Sequence, residues 1–394
     1  MPLEGMKQSF FERGWVLERS GDPKSGLEHY TEGHRNGEKL SSFLLGLHLH
    51  EGIFTKGNEE QGRKYICENN TDGLDFLSVH AEAGDSISQY YLGYLHLEGL
   101  GVPQDHSASY QWLRRSAKQG LAAAQRKLGV IYYDGIGVEQ DFEKAFTWLH
   151  KAAEQNFTVA QYDLGQIYYH DDDYIRDFTE ACLWYNKAAE QGYVEAQYDL
   201  AKMYYYGYGV KQDAEKACIW YRKAAEQGHA EAQYDLGMRY IAGRRGIRAD
   251  QAEAYLWCRK AAEQGDSRAQ YQVGLMHEKG QGVEQDFAQA LNWYRKAAEQ
   301  GDSQAQYRMG SIYEDGCDVE QNFLEALNWY RKAAVQKKFD AQDKVEILEE
   351  KISLRAKSAR TVLPVSMFKA DGAVGDSSLG YELEKRGFSM KGNE

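Results

Sequence analysis

The sequence predicts an all-α chain, a right-handed solenoid (superhelix) of antiparallel helix pairs, and three columns of residues predict it. Tryptophan returns at Trp112, Trp148, Trp184, Trp220, Trp257, Trp293 and Trp329, with gaps of 36, 36, 36, 37, 36 and 36 residues. Helix-capping residues keep the same gaps at Asp105, Asp141, Asp177, Asp213, Asp250, Asp286 and Asn322. A closing column reads Gly84, Gly120, Asn156, Gly192, Gly228, Gly265, Gly301 and Lys337. A period between about 20 and 50 residues marks a stacked array of supersecondary units. The one extra residue falls between Gly243 and Asp250, where a loop can absorb it.

Each repeat reads as two helices. In the third, Ala160, Leu164, Ile167 and Tyr168 stand at i, i+4, i+7 and i+8, one stripe of a helix. Phe178, Ala181, Trp184, Tyr185 and Ala188 form a second stripe at three- and four-residue steps. Asp177 is placed to accept the free N–H groups at the start of that helix. Gly192 is placed to end it, since glycine takes the left-handed conformation without a Cβ penalty. Gly165 and the small Ala181 let the two helices approach. Neither helix can bury its stripe alone, so neighbouring pairs must stack.

These residues resemble the Sel-1-like repeat, a relative of the tetratricopeptide repeat. The matching string is Ala-Gln-Tyr-x-Leu-Gly, a following Tyr, Gly-x-Gly-Val, Asp, and Lys-Ala-x-x-Trp-Tyr-x-Lys-Ala-Ala-x-Gln-Gly. Residues 122–156 and 194–228 carry it almost position for position, and the resemblance covers at least 85–337. It implies a tetratricopeptide-like superhelix that serves as a protein-binding scaffold.

The pattern extends to both ends. Asp22 and Asn58 fall in the capping column, with Gly26, Tyr30 and Gly37 around the first and Gly62, Tyr65 and Gly73 around the second. Residues 1–84 then hold two degenerate repeats plus an 11-residue insert, Leu74–Gly84, expected as an extra helical turn or two. Seven regular repeats fill 85–337. From 338 to 358 a capping helix is expected, because Glu346 and Glu349 replace the close-packing glycine and the tyrosine, and a charge there cannot accept another pair. Residues 359–394 lose the period and read as a flexible tail, with a short helix near Tyr381–Arg386.

Composition narrows the function classes. The chain has 47 basic and 60 acidic residues, a formal charge of −13. That disfavours a nucleic-acid partner, which needs basic stripes to meet phosphates. No run reaches the roughly 18 apolar residues of a membrane helix. The start has no apolar stretch of the secretory kind, so a cytoplasmic, bacterial-looking protein is expected. Cys67, Cys182, Cys218, Cys258 and Cys317 are five, and no repeat carries one on each helix. Some secreted members of the resembled family staple each pair with a disulfide; here the thiols read as free, in a reducing compartment.

Catalytic signals are weak. Gly-x-Gly occurs at Gly99/Gly101, Gly135/Gly137, Gly207/Gly209 and Gly280/Gly282, but between two helices and with the period, which is a turn rather than a phosphate cradle. His170-Asp171-Asp172-Asp173 offers oxygen ligands without the alternating calcium-loop pattern, and reads as a solvated acidic turn. His48 and His50, two apart on a helix, point away from each other. Arg244, Arg245 and Arg248 make one basic loop, either a partner contact or surface drift. Ser366-Met367-Phe368-Lys369 matches Ser-x-x-Lys, yet no Ser-Asp-Asn or Lys-Thr-Gly accompanies it. No enzyme, cofactor or metal is expected.

The remaining surface is the first-helix face. If the pairs stack as tetratricopeptide pairs do, this face is concave and carries three columns: Tyr90, Tyr162, Tyr198, Tyr234, Tyr271 and Tyr307; then Gln166, Lys202, Met238, Leu275 and Ser311; then Tyr133, Tyr169 and Tyr205. Two readings of the first column stay open: rings packed between repeats, or rings lining a groove. Tyr133, Tyr169, Tyr204, Tyr205, Tyr206 and Tyr208 make the middle of the chain unusually aromatic, and tyrosine is favoured at interface anchors. The expected function is a non-enzymatic adaptor gripping a protein or peptide in a tyrosine-rich concave face. The alternatives are a neutralising binder of a secreted toxin, or a hydrolase of β-lactam or peptidoglycan type.

Overall fold

The computed structural model describes residues 9–52, 57–170, 176–243, 248–316, 319–336 and 340–362. Asp171–Asp173, Arg244, Arg245, Cys317, Lys337, the Ser366–Lys369 motif and the stretch Tyr381–Arg386 lie outside them, and so does most of the expected tail. The chain forms two compact units, Met1–Ala249 and Asp250–Glu394.

In the first unit, nine helices lead up to the middle repeats: α1 (Phe10–Arg19), α2 (Pro23–Arg35), α3 (Lys39–Glu51), α4 (Glu59–Glu68), α5 (Asn70–Glu82), α6 (Ser86–Glu98), α7 (His106–Lys118), α8 (Ala122–Asp134) and α9 (Phe142–Glu154). Five more follow: α10 (Thr158–His170), α11 (Phe178–Glu190), α12 (Val194–Tyr206), α13 (Ala214–Glu226) and α14 (Ala230–Ala242). The second unit holds α15 (Gln251–Glu263), α16 (Ser267–Lys279), α17 (Phe287–Glu299), α18 (Ser303–Asp315), α19 (Phe323–Val335) and α20 (Ala341–Val362). It is an all-α repeat fold, as the columns predict; no strand occurs among the described residues.

The capping column does what its chemistry predicts. Asp105, Asp141, Asp177 and Asp213 accept backbone N–H groups two or three residues ahead, as do Asp250, Asp286 and Asn322 in the second unit. Asp22 and Asn58 cap α2 and α4 in the same way. Among the described residues Asn156 is the one non-glycine with positive φ (61°), and it stands in the closing column where the other repeats use glycine. Asparagine tolerates that conformation better than most side chains.

Pairs close on small residues. A Cβ at Gly165 would lie 2.5 Å from the Tyr185 ring, so α10 and α11 meet at a distance only glycine permits with that ring in place. Leu128, Leu164, Leu200 and Leu236 are fully buried along the first helices. Each contributes roughly 1.5–3 kcal/mol of apolar burial.

A glutamine in every regular first helix ties the repeats together. Gln125, Gln161 and Gln197 are buried. Each donates to a carbonyl near the end of the preceding second helix: Gln125 to Ala117 (3.2 Å), Gln161 to Ala153 (3.1 Å) and Gln197 to Ala189 (3.1 Å). Each also accepts from a glutamine thirty residues on, Gln155, Gln191 and Gln227, at 2.7, 2.7 and 2.8 Å. The second unit repeats the device at Gln270 and Gln306. A buried carboxamide needs partners on both ends, and here the repeat supplies them.

Two departures from the expected plan appear near the first repeats. The insert is not a turn or two but the greater part of a separate 13-residue helix, α5. Gly73 does not close a repeat; it lies inside α5, where a Cβ would come 2.4 Å from the Phe43 ring. Helix α4 stops at Glu68, after ten residues. The work of a second helix is thereby shared: α4 pairs with α3, and the α5 carbonyl of Ala81 receives Gln89 at 2.9 Å as later repeats do. At the other end α20 buries Ala341, Val345 and Leu348. Glu346 and Glu349 point to solvent, and Glu349 meets Arg331.

Candidate functional site

In the first column Tyr162 and Tyr198 do not present free rings; each is wedged and tethered by its hydroxyl. On α10, Tyr162 packs 5.7 Å from Tyr185 and 5.0 Å from Tyr193. Its hydroxyl donates to Asp199 on α12 at 3.1 Å. Gln166 donates to the same Asp199 oxygen at 2.8 Å, and the Lys202 ammonium meets the other oxygen at 3.1 Å. Tyr198 repeats the arrangement with Tyr221 at 5.8 Å, His229 stacked at 4.6 Å and its hydroxyl on Asp235 at 3.2 Å. On α8 an arginine takes the tyrosine's place, and Arg126 binds Asp163 at 2.6 and 3.3 Å. One rule covers all three: the column residue donates to a carboxylate 37 positions on.

Burial and then the Asp199 charge push the Tyr162 phenol far above its ordinary value, so it remains a donor. Tyr198 is raised by burial and by Asp235 in the same manner. Packing between repeats therefore accounts for these two rings, and each is half-buried.

The other column members are placed unequally. Tyr90 is 3% exposed, closed over by Tyr91 and Tyr94 on its own helix, and is withdrawn from the open face. Tyr234 and Met238 are half-buried on α14. In the second unit Tyr271 lies 5.6 Å from Tyr294 and Tyr307 lies 5.1 Å from Tyr330. There the position 37 residues after Tyr271 is Arg308, which pairs with Glu278 instead. Glu314, buried, accepts Tyr330 at 3.0 Å, Lys344 at 2.8 Å and Lys351 at 3.1 Å. These carboxylates stand where the first unit has Tyr133, Tyr169 and Tyr205, and their charges are met within the unit.

The third column packs on the second helices. Tyr133 is edge-on to Phe142 at 5.3 Å, and Tyr169 lies 5.4 Å from Phe178. The Arg239 guanidinium sits 3.7 Å over the Tyr205 ring. Around Tyr169 and Tyr205 the structure assembles something larger. Phe178 stacks on Tyr208 at 5.2 Å and 22°, and Tyr208 stacks on Tyr206 at 5.4 Å and 23°. Tyr169 is edge-on to Tyr208 at 6.2 Å, and Tyr205 edge-on to Tyr206 at 5.0 Å. Gly209 makes this possible: at φ 65° it lies against the Phe178 backbone, where a Cβ would be 2.0 Å from the carbonyl oxygen.

This five-ring cluster is open to solvent. Tyr206 is 53% exposed and Tyr208 37%. The fold does not demand an aromatic ring there. The position of Tyr206 holds Glu98, Asp134, His170, Ala242, Lys279 and Asp315 in the other repeats. Tyr133 and Tyr204 take no part in it: Tyr133 stays on Phe142, and Tyr204 borders a shallow depression of about 550 Å³ lined by Lys211, Asp213, Glu215 and Lys216. Phe178 joins the cluster although sequence reasoning placed it only in the second-helix stripe. Its position at the first turn of α11, beside a Gly-x-Gly turn, was the available signal.

The remaining candidates resolve as local structure. All four Gly-x-Gly pairs sit in turns with positive φ. His48 contacts Tyr91 and Glu18, whereas His50 bonds to Tyr94 at 2.7 Å, so the two histidines serve different clusters. Among the described residues no three or more His, Cys, Asp or Glu side chains are grouped to hold a metal ion, and no helix is long and apolar enough to cross a membrane. Cys67, Cys182, Cys218 and Cys258 are free thiols; burial pushes Cys182 up to about 11. Cys67 is exposed.

Comparison with known proteins follows the same lines. A family model described as Sel1 repeat matches residues 40–67, 86–121, 122–157, 158–193, 194–229, 230–266, 267–302 and 303–336. No curated protein matches. A Sel1 repeat protein from Oxalobacter formigenes is 33% identical, with a TM-score of 0.58, over 88% of this chain and 97% of that one. A protective antigen of uropathogenic Escherichia coli with an SLR fold is 26% identical over 93% and 95%, TM-score 0.36. An immunity protein from Pseudomonas aeruginosa is 27% identical over 47% and 67%, TM-score 0.32.

Proposed function

The chain belongs to the Sel1 repeat family, and from that premise we propose that it is a non-catalytic scaffold that binds a polypeptide through the aromatic cluster of α10 to α13. Proteins of this family are generally interaction scaffolds. The observation that supports the site is the solvent-open stack of Phe178, Tyr208 and Tyr206, at a position that is polar, charged or small in every other regular repeat. Rigid aromatic side chains lose little entropy on binding and supply large contact area, which is why they dominate interface energetics. The half-buried Tyr162, Gln166, Tyr169, Tyr198, Lys202 and Tyr205 lie on the same first helices, α10 and α12, and would extend the contact along them.

Site-specific cross-linking tests it. A photoreactive phenylalanine analogue in place of Tyr206 should trap one defined protein in the source cell. The same group in place of Glu226, exposed on α13, should trap it far less. Equal trapping at both positions would remove the cluster as the binding site.

A further inference from the structure

Aromatic faces in this protein are covered by cations of its own chain. Every tryptophan of the regular second helices carries one: Arg115 over Trp112 at 4.7 Å, then a lysine three residues on in each later repeat, the shortest being Lys187 over Trp184 at 3.8 Å. The stack follows the same habit at one end. The Arg176 guanidinium lies 5.6 Å from the Phe178 ring, and Phe178, Tyr208 and Tyr206 then follow as nearly parallel planes. At the other end the pattern stops. Among the described residues Tyr206 is the most exposed large aromatic side chain, at 53%, and no described cation lies over it.

We infer that the missing cover is an arginine of the partner, whose guanidinium stacks on Tyr206 and closes the end of the stack opposite Arg176. The inference rests on the scaffold reading and names the chemistry of its ligand. A ring face carries negative quadrupole density and attracts a cation, and arginine does so most readily because its planar, weakly hydrated head can lie flat on a ring. The molecule already places a guanidinium over a ring within the same cluster, where Arg239 lies 3.7 Å over Tyr205. Net charge favours the same partner: at −13, the chain attracts basic segments over a long range and repels acidic ones. A lysine would gain the charge but not the parallel stacking. An aliphatic side chain would gain neither.

The test compares three fluorescein-labelled octapeptides on the full chain by anisotropy: alternating Arg-Gly, alternating Lys-Gly, and alternating citrulline-Gly, the last a planar but uncharged mimic. The arginine peptide should bind more tightly than either other. Tyr206→Ala should weaken it about 2- to 5-fold, the worth of one exposed cation–π contact. Tyr206→Phe should keep the preference, and Glu226→Gln, which removes one negative charge elsewhere, should not change it. Absence of binding, equal binding of the arginine and lysine peptides, or indifference to Tyr206→Ala would each overturn the inference. If a cross-linked partner is nonetheless trapped at position 206, the scaffold reading survives and only the guanidinium is wrong. If the peptide preference holds but no partner is trapped, the reverse follows.

Discussion

The Tyr162 hydroxyl donates to the Asp199 carboxylate one repeat further along, at 3.1 Å, and Tyr198 does the same to Asp235 at 3.2 Å. Tyr162 and Tyr198 are thus struts between successive first helices, each ending on a carboxylate. Asp199 is the busiest of them, receiving Tyr162, Gln166 and Lys202.

Removing that acceptor leaves three donors short of a partner. Asp199→Ala should lower unfolding free energy by about 1.5–3 kcal/mol, the range for hydrogen bonds to a charged group. Urea denaturation would give the total. Hydrogen exchange should place the loss in α10 and α12, and an unchanged exchange rate there would contradict the strut.

The glutamine chain makes a second prediction. Gln161 gives one hydrogen bond to the Ala153 carbonyl and takes one from Gln191. Gln161→Ala removes both hydrogen bonds and should cost about 1–3 kcal/mol, at about 0.5–1.5 kcal/mol each. The Ala153 carbonyl keeps the Asn156 N–H at 3.0 Å, and the exposed Gln191 amide turns to solvent. The melting transition should also broaden, because stability in repeat arrays includes the coupling between neighbours.

Acidity should release the first two helices. Glu18 is buried in α1 and accepts Tyr30 of α2 at 2.7 Å, Tyr91 of α6, and faces His48 of α3. Burial alone would raise its carboxyl, but the His48 charge and the hydrogen bonds from His48, Tyr91 and Tyr30 outweigh that and hold it below the ordinary 4.5. A carboxyl depressed by folding contributes stability that is present above its unfolded value and lost as pH falls through the folded one. Amide protection in α1 and α2 should therefore decline below pH 4.5. Glu18→Gln should lower it already at neutral pH and flatten the acid dependence. The half-buried Glu51, in electrostatic reach of Glu18, opposes the trend, since desolvation raises its carboxyl.

Local chemistry was legible in the sequence and pairwise geometry was not. Asp177 and Asn156 announced a helix start and stop because capping and left-handed backbone depend on one residue and its neighbours. Gly165 announced a close approach for the same reason. The fate of Tyr162 was open because its partner, Asp199, is 37 positions away and looks like any surface aspartate. Tyr90 shows the same limit: its column left packing and groove-lining open, and the Tyr91 and Tyr94 rings that cover it could not be read from the column. The motif glutamine was in plain view in every repeat, yet its role needed the carbonyl at Ala153 and the amide at Gln191. Phe178 was read only as packing, although Gly209 beside it frees the space in which Tyr208 lies flat. Helix α5 escaped notice because Asn70–Glu82 has no tryptophan and a glycine where continuity is needed.

The division of labour between α4 and α5 bears on how such arrays change length. What Gln89 requires of the preceding segment is one helix-end carbonyl, at Ala81, in the right place. It makes no demand on the covalent route by which that carbonyl arrives. An extra helix can therefore be spliced into the chain without disturbing anything downstream, provided its last turn docks where the old one did. Growth by whole helices is open to this architecture, and the register of the following repeats is preserved at every such step.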